Sequence, residues 1–126
     1  MYRSVVLNSE ISKVLSTLGH GDYIVIGDCG LPVPAGVKRI DIALKPGTPS
    51  FKETYELVAG SMYVEKQVYA EEVSDAGLKE VFSDDIAAEQ VSHEALKEMS
   101  KGAKAVIRTG ETTPFANVIL YSNVFF

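Results

Sequence analysis

The apolar positions change period from segment to segment along the chain. In 9–18, Ile11, Val14, Leu15 and Leu18 fall at i, i+3, i+4 and i+7, one face of a helix. Ser9 is its predicted cap and Gly19 its predicted left-handed stop. Tyr23-Ile24-Val25-Ile26 is apolar without alternation, the pattern of a strand buried on both faces as in a parallel sheet. It runs into Gly27-Asp28-Cys29-Gly30, a polar turn. Arg39–Leu44 alternates and reads as a second strand. Ser50 with Glu53 has the spacing of a capping box and opens a helix that Phe51, Tyr55, Leu57 and Val58 carry to about Gly60. Met62–Ala70 is a third strand, with Met62, Val64, Val68 and Ala70 in phase and Gln67 out of it. A weak helix over 74–82, a short strand at Ile86–Val91 and a Ser92-capped helix through Met99 follow. Ala105–Arg108 and Asn117–Tyr121 read as the last two strands. Strands alternating with helices predict an α/β fold, a three-layer α/β/α sandwich around a mostly parallel, mixed sheet of about six strands. The order of those strands is not readable from the pattern.

No repeat or low-complexity linker interrupts the 126 residues, so a single domain over 1–126 is expected. A hydrophobic fraction of 46% and a charged fraction of 23% exclude disordered, collagenous and disulfide-scaffold classes. Twelve basic against 17 acidic residues leave a net charge of −5, with no cationic surplus to displace counterions, so no nucleic-acid partner is expected. The one cysteine, Cys29, cannot form an intramolecular disulfide. The longest apolar runs fall far short of the roughly 18 residues of a membrane span. Asn8, Ser9 and Glu10 break the apolar stretch of the first ten residues before it reaches the length of a secretory core. A cytoplasmic protein without a membrane partner is the expectation.

The sequence contains no GxGxxG, P-loop, HExxH or GxSxG pattern, and His20, Cys29 and His93 lack a metal-ligand spacing. Nucleotide-dependent and metal-dependent chemistry are therefore disfavoured. The polar residues at element ends remain. Asp28 follows the most apolar strand, where open α/β sheets place ligands, although an Asp at a turn commonly does no more than hold its own backbone. His20 lies just past a helix stop, either an exposed loop residue or a proton carrier near neutral pH. His93 opens the helix capped by Ser92, as a solvated first-turn residue or as a hydrogen-bonding group of a site. Cys29 makes a poor nucleophile, since a thiolate needs a positive neighbour and Asp28 is adjacent. Arg108, Glu111 and Asn117 flank the Gly110–Pro114 turn and either hydrogen-bond a polyol or stand solvated.

The string VLNSEISKVLSTLGHGDYIVIGDCGLPVPAGVKRIDIALKPGTPSF (6–51), with KAVIRTGETTPFANVIL (104–120), resembles the D-ribose pyranase family, which also contains the fucose mutarotases. Its densest marks are Leu18-Gly19-His20, Asp28, Gly30-Leu31-Pro32, Arg39-Ile40-Asp41, Pro49 and Ile107 through Glu111. The LNS start and the GLPVP and ALKPG loops resemble the ribose branch. The resemblance implies interconversion of the pyranose and furanose forms of D-ribose, upstream of phosphorylation by ribokinase. It implies no cofactor and a cytoplasmic ring-shaped homo-oligomer, assembled as a decamer. By position, His20 would be the proton donor, and Asp28, His93 and the Phe115-Ala116-Asn117 segment would contact the sugar. Phe115 stands where members of the family commonly carry Tyr, and Cys29 where they often carry Ala. A fucose-type aldose mutarotase and a non-catalytic ribose-binding accessory protein are the alternative functions.

Changing ring size requires opening the hemiacetal, rotating the free chain and closing through another hydroxyl. A general acid and a general base supply the protons, which accounts for imidazole and carboxylate without a cofactor. His20 and Asp28 bracket a predicted strand at 22–27, which at about 3.3 Å per residue separates them by close to 20 Å. Unless the chain folds back at Gly21, a site shared between neighbouring subunits is expected.

Overall fold

The computed structural model describes residues 6–126, so the N-terminal reading made on residues 1–5 lies outside them. Six strands form one sheet: β1 (Tyr23–Gly27), β2 (Lys38–Asp41), β3 (Val64–Ala70), β4 (Ala88–Val91), β5 (Ala105–Arg108) and β6 (Val118–Ser122). Their order is β2-β5-β1-β6-β3-β4. β1 and β2 pair parallel with β5, and β3 pairs parallel with β4. β6 runs antiparallel to both its neighbours, β1 and β3. Five strands thus share one direction, which is the mostly parallel, mixed sheet expected.

Helices α1 (Ser9–Thr17), α2 (Phe51–Ala59) and α3 (Ala76–Lys79) cover one face, and α4 (His93–Met99) with a 3-10 turn at Ser100–Gly102 covers the other. The larger core joins Ile11, Leu15, Phe51, Tyr55 and Val58 to Ile24, Ile26, Ile107 and Leu120 of the sheet. The smaller core packs Leu96 against Val25, Val68, Val106 and Ile119. β1 contributes to both layers, which accounts for its lack of alternation.

Local capping follows side-chain chemistry. Ser50 and Ser92 accept from the N–H groups of Glu53 and Ala95, as their spacing predicts. At α1 the cap is Asn8 rather than Ser9: its Oδ1 accepts from the Ile11 N–H at 2.9 Å, and Ser9 becomes the first helical residue. Gly19 is not the left-handed stop. Leu18 ends the helix in an extended conformation, and the positive φ falls at Gly21 (86°).

β3 departs most from its pattern. A register shift between Val64 and Lys66 inserts one extra residue, and that reverses which residues face which layer. Val64 and Tyr69 therefore pack against the larger core, Val68 belongs to the smaller one, and Gln67 is buried. The Gln67 amide is accommodated by hydrogen bonds: its oxygen accepts from the Tyr55 hydroxyl, and its nitrogen donates to the carbonyls of Ser83 and Ile86.

Candidate functional site

The antiparallel course of β6 decides where the site lies. Its amino end, preceded by Phe115-Ala116-Asn117, meets the carboxyl ends of β1, from which Asp28 emerges, and of β3, beside which β4 ends and leads to His93. Ligands of open α/β sheets bind outside the carboxyl ends of the parallel strands, and Asp28, His93, Phe115 and Asn117 are gathered there.

Asn117 is fully buried, and its Oδ1 accepts from the Asp28 N–H at 2.9 Å. That bond fixes which end of the amide points where, leaving Nδ2 as a buried donor without a protein partner. The His93 ring stands edge-on to Phe115, centroids 5.1 Å apart, and its Nδ1 is likewise buried and unpartnered. The His93 main-chain N–H is gripped by both carboxylate oxygens of Glu72 at 2.9 and 3.0 Å, which ties the start of α4 to the loop after β3. Phe115 adopts φ +65°, a conformation that costs a non-glycine residue of the order of 1 kcal/mol and recurs at functional sites. Its carbonyl accepts from the Asn117 N–H at 2.9 Å, a tight turn that swings the ring onto His93. Ala116 is fully buried in the larger core, so only its main chain can serve a ligand.

Asp28 is held by its own turn: Oδ1 accepts from the Gly30 N–H at 2.8 Å. Thr109 locks the preceding residue, with both its N–H and its hydroxyl donating to the Gly27 carbonyl. Gly27 has no room for a side chain, because a Cβ would stand 2.6 Å from Leu31 Cδ2 and 3.2 Å from Asn117 Oδ1. Beside this turn, Cys29, Ala43–Pro46, Arg108 and Gly110 line a cleft of about 210 Å³.

The three residues flanking the 110–114 turn divide by role. Arg108 donates from Nε to the Cys29 carbonyl (2.9 Å) and from Nη1 to both oxygens of Asp41 (3.1 and 2.9 Å). Both Glu111 oxygens are engaged, one by the Phe51 N–H at the start of α2 and the other by the N–H and hydroxyl of Thr113. Partial burial pushes the Glu111 carboxyl up, and these bonds with the Thr112 N–H outweigh it and hold the group below the usual range. Of the three, Asn117 alone keeps a fully buried donor without a protein partner. The functions of Glu72 and Thr109 had no sequence signal beyond polarity, since each acts through a main-chain group distant in the chain.

His20 lies elsewhere. The Gly21 N–H donates to the Ser122 carbonyl at the far end of β6, and His20 Nε2 approaches Glu65 Oε1 at 3.2 Å. Both side chains are about half exposed. The chain does not fold back at Gly21, so the five residues of β1 separate His20 from Asp28 within one subunit. Among the described residues no cluster of His, Cys, Asp and Glu has the arrangement of a metal site, and no helix is long and apolar enough to cross a membrane.

The model of the RbsD / FucU transport protein family matches residues 1–125. A protein from Exiguobacterium sibiricum named D-ribose pyranase is 55% identical over the full length of both chains, as is one of the same name from Staphylococcus haemolyticus. The structure of Bacillus subtilis RbsD complexed with D-ribose superposes with a TM-score of 0.93 at 47% identity, covering all of both chains. The fucose mutarotase of Streptococcus pneumoniae in complex with L-fucose gives 0.76 at 25% identity, over 95% of each chain.

Proposed function

The chain belongs to the RbsD/FucU family, and from that premise we propose that it is a cofactor-independent isomerase interconverting the β-pyranose and β-furanose forms of D-ribose. The observation that carries the reading is the pair of buried, unpartnered atoms, His93 Nδ1 and Asn117 Nδ2, beside the Asp28 turn. Buried polar groups are almost always paired, and a polyol offers the hydroxyls that complete these two. Phe115 supplies an apolar wall next to them.

In the proposed cycle Asp28, His93, Asn117 and the main chain of 115–116 hold the sugar. His20 delivers a proton to the pyranose ring oxygen while a base removes one from the anomeric hydroxyl, and the C1–O5 bond breaks to the open aldehyde. Rotation brings the C4 hydroxyl to C1; its oxygen bonds there, its proton leaves, and the carbonyl oxygen is protonated as the furanose closes. General acid–base assistance of this kind contributes about 10²–10⁴-fold.

His20 and Asp28 sit at opposite ends of β1 and β6, so the proton donor comes from a neighbouring subunit. The assembly is a homo-oligomer, a decamer by family resemblance, and exposed Leu44, Phe125 and Phe126 offer apolar surface for subunit contacts. The protein acts as one domain in the cytoplasm on free D-ribose, with no nucleic-acid or membrane partner.

Saturation-transfer NMR on equilibrated D-ribose tests the reading, following β-pyranose against β-furanose signals with wild type and His20→Ala. Accelerated exchange by wild type alone is the expected result. Exchange of anomers without ring-size exchange would assign a fucose-type mutarotase instead, and ribose binding with no exchange would assign an accessory binder.

A further inference from the structure

We propose that Arg108 is a positioning residue that orients the Asp28 carboxylate through the Cys29–Gly30 peptide group, a proposal that rests on the reading of Asp28 as a sugar-binding residue. The two ends of that one peptide plane are held from opposite sides. Its oxygen, the Cys29 carbonyl, accepts from Arg108 Nε at 2.9 Å. Its nitrogen, the Gly30 N–H, donates to Asp28 Oδ1 at 2.8 Å. Guanidinium, peptide and carboxylate therefore stand in series, and the cation at one end polarises the peptide so that its N–H becomes a stronger donor at the other.

Arg108 is itself braced. It ends β5 directly opposite Asp41, the last residue of β2, with which it is in register. Nη1 reaches both Asp41 oxygens, and the Ile42 N–H donates to the Arg108 carbonyl. Asp41 responds: partial burial raises its carboxyl, and the Ala43 N–H with the Arg108 and Arg39 charges holds it below the usual range. An exposed ion pair of this kind contributes little to stability by itself. Here the Arg108 side chain is only 28% exposed, and its third donor goes to a loop carbonyl rather than to solvent. The remaining groups of the turn are also fixed: the Cys29 N–H donates to the Glu111 carbonyl, and the Asp28 N–H to Asn117. The Asp28 carbonyl accepts from the Leu31 N–H, so with these flanking groups held, loss of Arg108 frees the one peptide whose rotation carries the Asp28 carboxylate with it.

The test is a double-mutant cycle of Arg108→Lys with Asp28→Ala, reading ribose affinity in both backgrounds and ring exchange where Asp28 is intact, with thermal melts confirming folding. Lysine keeps one charge but cannot bridge Asp41 and the Cys29 carbonyl together. The expected result is a loss of about tenfold in ribose affinity for Arg108→Lys in the wild-type background, with exchange falling alongside, and of less than about twofold in affinity once Asp28 is Ala, as befits a group acting only through Asp28. Equal losses in both backgrounds, or no loss in a folded Arg108→Lys protein, overturn the proposal. If Arg108→Lys does not fold, Asp41→Asn takes its place in the same cycle. Wild type that binds ribose without exchanging it overturns the isomerase reading alone, and the cycle is then read in affinity. Wild type that neither binds nor exchanges overturns both.

Discussion

Asn117 uses its amide twice: Oδ1 accepts the Asp28 N–H at 2.9 Å, and Nδ2 is buried with no protein partner. The first bond fixes the direction of the second group. Asn117→Asp keeps an acceptor for the Asp28 N–H and removes the spare donor. Its expected cost falls on ribose affinity, about tenfold, with that figure set by one lost hydrogen bond. Asn117→Ala orphans the Asp28 N–H as well and destabilises the fold by about 1–3 kcal/mol. Isothermal titration with ribose alongside denaturant melts separates the two effects.

His93→Phe separates a ligand-binding role from a structural one. The phenyl ring retains the edge contact with Phe115 and removes a buried nitrogen that lacks a partner. Folding stability is expected to hold or rise, while ribose affinity falls at least about tenfold. A drop in stability with unchanged affinity would make His93 a packing residue. Thermal melts with and without ribose read both quantities.

Acid stability has an identifiable contributor in Glu111. Its folded-state value is depressed from the ordinary 4.5, so its stabilisation is complete above that value and is lost as pH falls through the folded-state value. Glu111→Gln is expected to lower Tm by a few degrees at neutral pH, a gap that closes as the pH drops below about 4.5. Melts of the two proteins across that range check the sign. A gap that widens in acid would contradict it.

Subunit sharing makes a quantitative prediction. His20→Ala and Asp28→Asn proteins are each expected to be inactive. Unfolded together and reassembled in equal amounts, they regenerate sites that pair an intact His20 with an intact Asp28 from the neighbour. Random mixing around a ring restores about a quarter of wild-type exchange. No recovery in correctly assembled mixed oligomers would place both residues in the same subunit's site.

Much of this architecture is legible in local pattern because the causes are local. Ser50 and Ser92 cap the helices they precede, and the unbroken apolar run of β1 matches a strand packed on both faces. The exceptions arise where a distant segment decides. The bulge in β3 is imposed by pairing with β6, and it carries Gln67 into a core that Tyr55 and the 83–86 loop had to accommodate. The antiparallel insertion of β6 is what brings Asn117 to Asp28, and no periodicity encodes it. Arg108 and Glu111 read as free polar groups in the sequence because their partners, Asp41 and Phe51, lie 60 or more positions away.

β6 is the last strand in chain order yet lies between β1 and β3. During synthesis β2, β5 and β1 can assemble, and so can β3 and β4, but nothing in the sheet joins the two groups until residues 118–122 leave the ribosome. Two open sheet edges, along β1 and β3, stay unpaired throughout that interval, and such edges are where chains adhere to one another. The hazard of misassembly is therefore concentrated at the end of translation, and a chain halted before residue 118 would hold a β2-β5-β1 half-sheet whose open β1 edge ends in an Asp28 turn that Asn117 does not yet brace.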